Sequence, residues 1–308
     1  MPDAVQRLAR PVLLFGGTGQ VGRELHQELA TLGIVVAPPR SDADLARPDT
    51  VREAIRRVRP SVVINTAALT NVDQSERDPQ LARTLNHVAP GVMADAARDV
   101  GALLVHYSTD YVFDGARDQP YTEDDEPNPI NVYGASKLAG ERSVAASGSA
   151  FLVLRTSWVY SRTGAGFVPT ILRQLDEPGD IRVVADQTGS PTWSRALARS
   201  TVALLRGLVN QGEVVLPEAS RGVYHLGGSG AASRVEIAKE IITALADVRG
   251  SGDVNHNRQV IPISAAEFGA VAARPRYSAL SNARLERVFG VSLNDWQVDL
   301  RRMLANGD

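Results

Sequence analysis

Tyr133 and Lys137 stand four residues apart in the stretch NVYGASKLAGE, a spacing that places both side chains on one face of a helix. An ammonium beneath a phenol favours the phenolate, so the tyrosine pKa is expected to fall from its usual value of about 10 towards working pH. Such a phenol can give a proton to the alkoxide that forms when a ketone is reduced. The same spacing also occurs on any solvated helix face, and its company decides between the two. Ser108, Thr109 and Asp110 follow an apolar run in HYSTDYVFDG. A hydroxyl from Thr109 or Ser108 there can hydrogen-bond and orient a substrate carbonyl, or it can simply cap a local turn.

The third member of the set is FGGTGQVG, with Gly16, Gly19 and Gly22 at three-residue intervals between an apolar run and an amphipathic one. Gly16 permits a sharp turn, Gly19 lets the backbone approach a pyrophosphate and Gly22 permits close helix packing, while the helix N-terminus faces the phosphates. The alternative is a merely tight loop, but the order strand, glycines, helix is the one dinucleotide binding requires. Further along, in APPRSDADL, Arg40 suits a 2'-phosphate and hence NADPH. Asp42 or Asp44 suits a ribose or adenine, and an acid on the ribose favours NADH. The two signals oppose one another, and the expectation is NADPH with NADH as the alternative. Ala67 and Ala68 in NTAALT are small enough for the dinucleotide to lie against the backbone, or serve only in the core. Lys137 can then hold the nicotinamide ribose as well as face the phenol.

These residues need a scaffold. PVLLF, IVVAP, SVVINTAA, GALLVHYS and FLVLRTSWVY read as strands one to five, alternating with helical patterns such as VGRELHQELATLG and PDTVREAIRRVRP. Residues from Asp78 to Val100 can carry one long helix that Pro90 breaks or kinks. The alternation implies an α/β fold, a Rossmann-type doubly wound parallel sheet covered by helices on both faces. Past Arg162 the rhythm loosens into helix GFVPTILRQL, strand IRVVAD, turn QTGSPT, helix WSRALARSTVALLRGLV, strand GVYHLGG, a helix capped by Ser233 and Glu236, and two short amphipathic helices. Residues 1–162 are therefore assigned to a nucleotide-binding domain. Residues 163–308 are assigned mainly to a smaller C-terminal α/β substrate domain, with segments that can return to the first core. The cleft is expected at the carboxyl ends of the strands.

Composition removes other classes. The 308 residues are 44% hydrophobic and 22% charged, with a net charge of -2 and no dense basic stripe, so nucleic acid is not the expected partner. Arg56, Arg57 and Arg59 read as a solvated helix face. There is no cysteine, which excludes disulfides, thiolate nucleophiles and Cys-based zinc sites. The five histidines lack metal-ligand spacing, and no metal ligand is assigned. The opening MPDAVQRLAR and the short apolar run after it suit neither a signal peptide nor a membrane span, which makes the cytoplasm the expected location.

Taken together, LLFGGTGQVG, HYSTDYVFDG, NPINVYGASKLAGE, LRTSWVY, ADQTGSPT and GVYHLGG resemble the dTDP-4-dehydrorhamnose reductase family of the extended short-chain dehydrogenase/reductases, along nearly the whole chain. The resemblance implies Thr109, Tyr133 and Lys137 as catalytic residues, with Asp110 and Trp158 beside the sugar. It implies cofactor contacts at Thr18, Gly19, Gln20, Val21, Asp44, Leu45, Ala67, Ala68, Thr70 and Tyr107. It also implies reduction of the C4 ketone of dTDP-4-dehydro-beta-L-rhamnose, with NADPH or NADH and, in several members, magnesium. The partner would be a dTDP-4-keto-6-deoxy sugar, and the chain a monomer or homodimer, with Glu24 among the charges a metal-linked dimer could use. Three departures stand out: Arg47 in DLARP where an acid is common, the lack of aromatics in SGAASRVEIAK, and RPRYSAL with Arg274 and Tyr277 near the sugar. Two other readings stay open: reduction or ring contraction of a related dTDP-keto-sugar, as on the route to dihydrostreptose, and a non-catalytic subunit like that of methionine adenosyltransferase.

Overall fold

Val12, Leu13, Leu14 and Phe15 are at most 1% exposed, which four consecutive apolar residues achieve only in a strand covered on both faces. The computed structural model, which describes residues 7–249 and 259–306, builds on that strand. Strands β1 (Val12–Phe15), β2 (Val35–Val36), β3 (Val62–Asn65), β4 (Leu103–Thr109) and β5 (Phe151–Thr156) come first. They alternate with helices α1 (Gln20–Leu29), α2 (Pro48–Val58), α3 (Val72–Arg77), α4 (Pro79–Arg83), α5 (Ala89–Val100) and α6 (Val132–Ala146). Then follow β6 (Val159–Tyr160), α7 (Phe167–Asp176), β7 (Ile181–Val184), β8 (Thr188–Gly189), β9 (Thr192–Trp193) and α8 (Ser194–Leu208). The rest is β10 (Val209–Asn210), β11 (Glu213–Val214), β12 (Gly222–His225), β13 (Ala232–Ser233), α9 (Arg234–Arg249), β14 (Val260–Ile263), α10 (Ala265–Phe268), α11 (Ala283–Phe289) and α12 (Trp296–Asn306).

The main sheet has six parallel strands in the order β12-β5-β4-β3-β1-β2. Val12 and Leu14 pack on one face with Leu25 and Leu29 of α1 and Leu197 and Leu205 of α8. Leu13 and Phe15 pack on the other with Val51 and Ile55 of α2 and Met93 and Ala97 of α5. Each fully buried side chain of this size contributes about 1.5–3 kcal/mol. Strand order reverses between β1 and β3, and that reversal opens a crevice at their carboxyl ends. The late segments α8 and β12 complete this layer, while α7, α9 and α12 cover β7, β14 and the short β6–β9 pair around Ile171, Ile181, Ile241 and Leu300.

One local expectation is refined and two are corrected. The run after Asp78 is helical without interruption through Val100, as expected, but the irregularity linked to Pro90 takes the form of a π-helical turn over Thr84–Val88, between α4 and α5, just ahead of the proline. FLVLRTSWVY is not one strand: it breaks between β5 and β6, where Trp158 adopts φ 42°. QTGSPT is more than a turn, since it supplies β8 and β9 to pairs with β13 and β6. The Ser233–Glu236 capping box forms as expected, with Glu236 N donating to Ser233 Oγ at 3.2 Å and Ser233 N to Glu236 Oε2 at 2.6 Å. Arg56 and Arg57 lie exposed on α2, Arg56 paired with Asp99.

Candidate active site

The glycine turn joins β1 to α1 as its spacing demands. Gly16 sits at φ 83°, a conformation that glycine adopts without strain, and a Cβ on Gly22 would lie 2.0 Å from the Gly16 carbonyl oxygen. Helix α1 starts at Gly19 with no side-chain cap, which leaves its first N–H groups available to an anion. Gly16 and Thr18, with Ala67 and Ala68 after β3, line two adjoining cavities. One, of ≈ 500 Å3, runs out past Arg40, Asp44 and Leu45. The other, of ≈ 620 Å3, runs in past Gly19, Gln20, Val21 and Thr70 to Tyr107, Thr109, Tyr133 and Lys137. The donor set and shape fit a dinucleotide.

At the outer end the opposed signals are tied together. Arg40 Nε donates to Asp44 Oδ1 at 3.2 Å, and Arg47 Nε lies 3.8 Å from Asp44 Oδ2. Asp44 Oδ1 also accepts from Ala46 N at 3.0 Å. The carboxylate is engaged on both oxygens, whereas the Arg40 side chain remains 75% exposed at the rim. Asp42 is exposed and accepts from Ser41 Oγ at 2.9 Å. The amide of Gln20 donates to the Ala165 carbonyl across the cleft.

The π turn has a use that the sequence did not disclose. It directs the buried Asn86 inward, where its amide donates to Leu69 O at 3.1 Å and Ser136 Oγ at 3.0 Å and accepts from Leu69 N at 2.8 Å. The loop carrying Ala67, Ala68 and Thr70 is thereby fastened to α6. The break anticipated at Pro90 was the one signal pointing to it.

At the inner end, α6 presents Tyr133 and Lys137 to the same cavity as Thr109 at the end of β4. Asn131 caps the helix, its Oδ1 accepting from Gly134 N at 2.7 Å. The expected electrostatics are corrected. Lys137 Nζ donates to the Tyr107 carbonyl at 2.6 Å and lies 3.3 Å from His106 Nε2, so the ammonium is directed at β4. Burial pushes the Tyr133 phenol up rather than down, assisted by Asp110 and Tyr111 and opposed by the neighbouring Thr109 hydroxyl. Burial likewise lowers Lys137 to about 8, against the raising charge of Glu141. Thr109 both lines the cavity and performs the blander role, since its Oγ1 accepts from Tyr111 N at 3.2 Å and donates to Asp110 Oδ1 at 3.1 Å. Ser108 is not the alternative donor to substrate, because its hydroxyl donates to Glu141 Oε1. The Tyr107 ring lines the cavity, but its hydroxyl points away and meets Thr201 Oγ1 at 2.5 Å.

Asp110, 2% exposed, accepts from Thr109, from Ser157 Oγ at 2.8 Å and from Ser278 Oγ at 2.5 Å. Burial raises it to about 6 in spite of these three hydroxyls. Ser157 precedes Trp158, whose left-handed backbone turns its indole over Gly189 of β8 and into the cavity wall. Its Nε1 is buried without a hydrogen-bond partner. The guanidinium of Arg234, from the start of α9, lies 4.2 Å from the indole centroid. A third cavity of ≈ 410 Å3 holds Arg234 with Arg182 and Arg274 at an apolar wall of Phe167, Ile171 and Phe268. Arg274 also pairs with Asp73 of α3 at 3.2 Å. Tyr277 packs against the cluster of Val112, Phe113, Tyr121, Leu138 and Leu280.

No group of three or more metal-ligating side chains occurs among the described residues. Glu24, the acid with which a metal-linked dimer was associated, accepts from Arg195 Nε at 2.8 Å. No described helix is long and apolar enough to cross a membrane.

The family model described as RmlD substrate binding domain matches residues 10–308. A dTDP-4-dehydrorhamnose reductase of Burkholderia thailandensis is 42% identical over 93% of this chain and 95% of its own length. One of Escherichia coli is 37% identical over 95% and 96%. Among solved structures, a dTDP-4-dehydrorhamnose reductase from Bacillus anthracis in complex with NADP superposes with a TM-score of 0.85 at 35% identity, over 96% of this chain and 99% of that one.

Proposed function

This chain belongs to the dTDP-4-dehydrorhamnose reductase family of the extended short-chain dehydrogenase/reductases, and we propose that it reduces the C4 ketone of dTDP-4-dehydro-beta-L-rhamnose to dTDP-beta-L-rhamnose as an NAD(P)H-dependent oxidoreductase. The observation that carries this reading is the single cavity in which Thr109, Tyr133 and Lys137 meet the glycine turn. The N-terminus of α1 and the small residues Ala67 and Ala68 hold the dinucleotide, which when bound supplies the hydride. The Thr109 hydroxyl turns its hydrogen from Asp110 to the substrate carbonyl and polarises it. Tyr133 gives its proton to the oxygen as charge develops there. A phenol pushed up by burial enters the reaction protonated, the state a donor requires. Lys137 holds the nicotinamide ribose, and Trp158 walls the hexose.

The nucleotide's diphosphate is assigned to Arg234 and Arg274. Arg234 joins the cleft to the third cavity, and among the described residues no carboxylate pairs with it. NADPH is the proposed cofactor, with Arg40 on the 2'-phosphate; the NADP bound to the Bacillus anthracis relative supports that choice. Cofactor oxidation followed by absorbance, with enzymatically prepared dTDP-4-dehydrorhamnose and the product identified by NMR, tests the proposal. Formation of dTDP-L-rhamnose supports it; nucleotide binding without oxidation rejects it.

A further inference from the structure

Behind the catalytic residues lies an ion pair that the proposed reaction does not use. Glu141 and Arg155 have side chains 4% and 5% exposed, and they meet through Arg155 Nη2 to Glu141 Oε2 at 2.7 Å and Arg155 Nε to Oε1 and Oε2 at 3.0 and 3.2 Å. Ser108 Oγ is the third donor to this carboxylate, at Oε1. Such a pair is weak evidence of stability, because taking two charges out of water offsets much of their attraction. Here the desolvation is not fully offset, since Arg155 Nη1 is buried with no partner. An apolar pair of similar volume would hold the layers together as well. What an apolar pair could not do is fix position by direction.

The location of the pair shows what is fixed. Glu141 lies one turn beyond Lys137 and two beyond Tyr133, on the same face of α6. Ser108 and Arg155 are register partners on β4 and β5. One residue further along each strand stand Thr109 and Thr156, followed on β5's side by Ser157 and Trp158. We propose that Glu141 is a positioning residue, whose carboxylate joins the helix bearing Tyr133 and Lys137 to the two strand ends bearing Thr109 and Trp158 and keeps a counter-charge beside Lys137. The proposal rests on the reductase reading for its kinetic consequence only. The groups facing Lys137 are Glu141 and Tyr133 on its own helix and, from β4, the Tyr107 carbonyl and His106, which burial and Lys137 hold neutral and which leans on Asn65 at 3.1 Å. Glu141 is thus the nearby anion acting on the lysine.

The chain contains two lysines, Lys137 and Lys239, so selective 13C labelling at lysine Cε yields one buried and one exposed resonance, the latter an internal reference. Titration of wild type, Glu141→Gln and Ser108→Ala is the test, together with kcat and KM for each. For Glu141→Gln the Lys137 midpoint is expected to move down, from about 8, and kcat to fall by ~10–100-fold with KM for the sugar nucleotide little changed, the scale of a misplaced catalytic group. Ser108→Ala leaves the ion pair in place and is expected to lower kcat less, by ~3–10-fold. Should Glu141→Gln fail to fold, Ser108→Ala decides the case. A lower melting temperature with an unmoved lysine midpoint and unchanged kcat would reduce the pair to scaffold and overturn the proposal. If the wild type proves inactive on the keto-sugar, the reductase reading fails, while the lysine titration still judges Glu141.

Discussion

The two ends of the cleft are built on opposite plans. The nucleotide end presents backbone, glycine and alanine, with charges kept at an exposed rim where Arg40 and Asp44 pair in water. The chemical end gathers Thr109, Asp110, Lys137, Glu141, Arg155 and Ser157 out of solvent, each at most 5% exposed except for the half-buried Tyr133 beside them. Burial strengthens every contact among them and makes every missing partner expensive. Substitutions at the rim should therefore cost little, and those at the inner end a great deal.

The largest effect tests the inner end directly. Tyr133→Phe is expected to lower kcat by ~10²–10⁴-fold, the range for removing a general acid, while the cofactor binds as before. Single-turnover rates beside a cofactor titration check this; retained turnover would give the proton to another group.

Next comes Asp110. Its folded pKa of about 6 exceeds the ordinary 3.8, so its contribution to stability is complete below the unfolded value and is lost as pH rises through the folded one. Urea denaturation of wild type and Asp110→Asn at about pH 4 and pH 7 should show the difference moving in the variant's favour by up to roughly 3 kcal/mol at the higher pH. A pH-independent difference would mean that the three hydroxyls fully compensate the buried charge.

Arg234 lies between the two plans, half-buried and unpaired with any described carboxylate. Arg234→Met should raise KM for the sugar nucleotide by ~10–100-fold and leave kcat nearly unchanged, as loss of one charged hydrogen bond implies. Unaltered KM would move the diphosphate elsewhere. The smallest effect belongs to the rim: Arg40→Ala should weaken NADPH by ~3–10-fold and leave NADH untouched, because an exposed charge is screened by water. An effect as large as that at Arg234 would show that the rim closes over its ligand and would erase the contrast.

The nucleotide end was largely readable from residue order. Gly16 and Gly22 have single explanations, a positive φ and a close approach, and both are local to one turn. The strand alternation of β1 to β5 was equally readable, since two-sided burial demands continuous apolar runs. The break at Trp158 was not, because LRTSWVY has the composition of a strand, while Ser157 is held by Asp110, from the turn that follows β4. Tyr133 and Lys137 were found by spacing, yet the direction of the phenol's shift was misjudged. A four-residue interval assigns both side chains to one helix face but says nothing of Tyr107 and His106 across it, which take the ammonium, or of the depth that penalises the phenolate.

The sequence by itself determined the layered α/β plan and the glycine turn, and it singled out Thr109, Tyr133 and Lys137 as candidates, because each is written in neighbours along the chain. Tertiary structure alone decided the charge states at the inner end, the pairing of Glu141 with Arg155, the seat of Asn86 and the exposure of Arg234. Those depend on dielectric and on partners from 14 to about 170 residues away, and neither quantity is encoded in any local pattern.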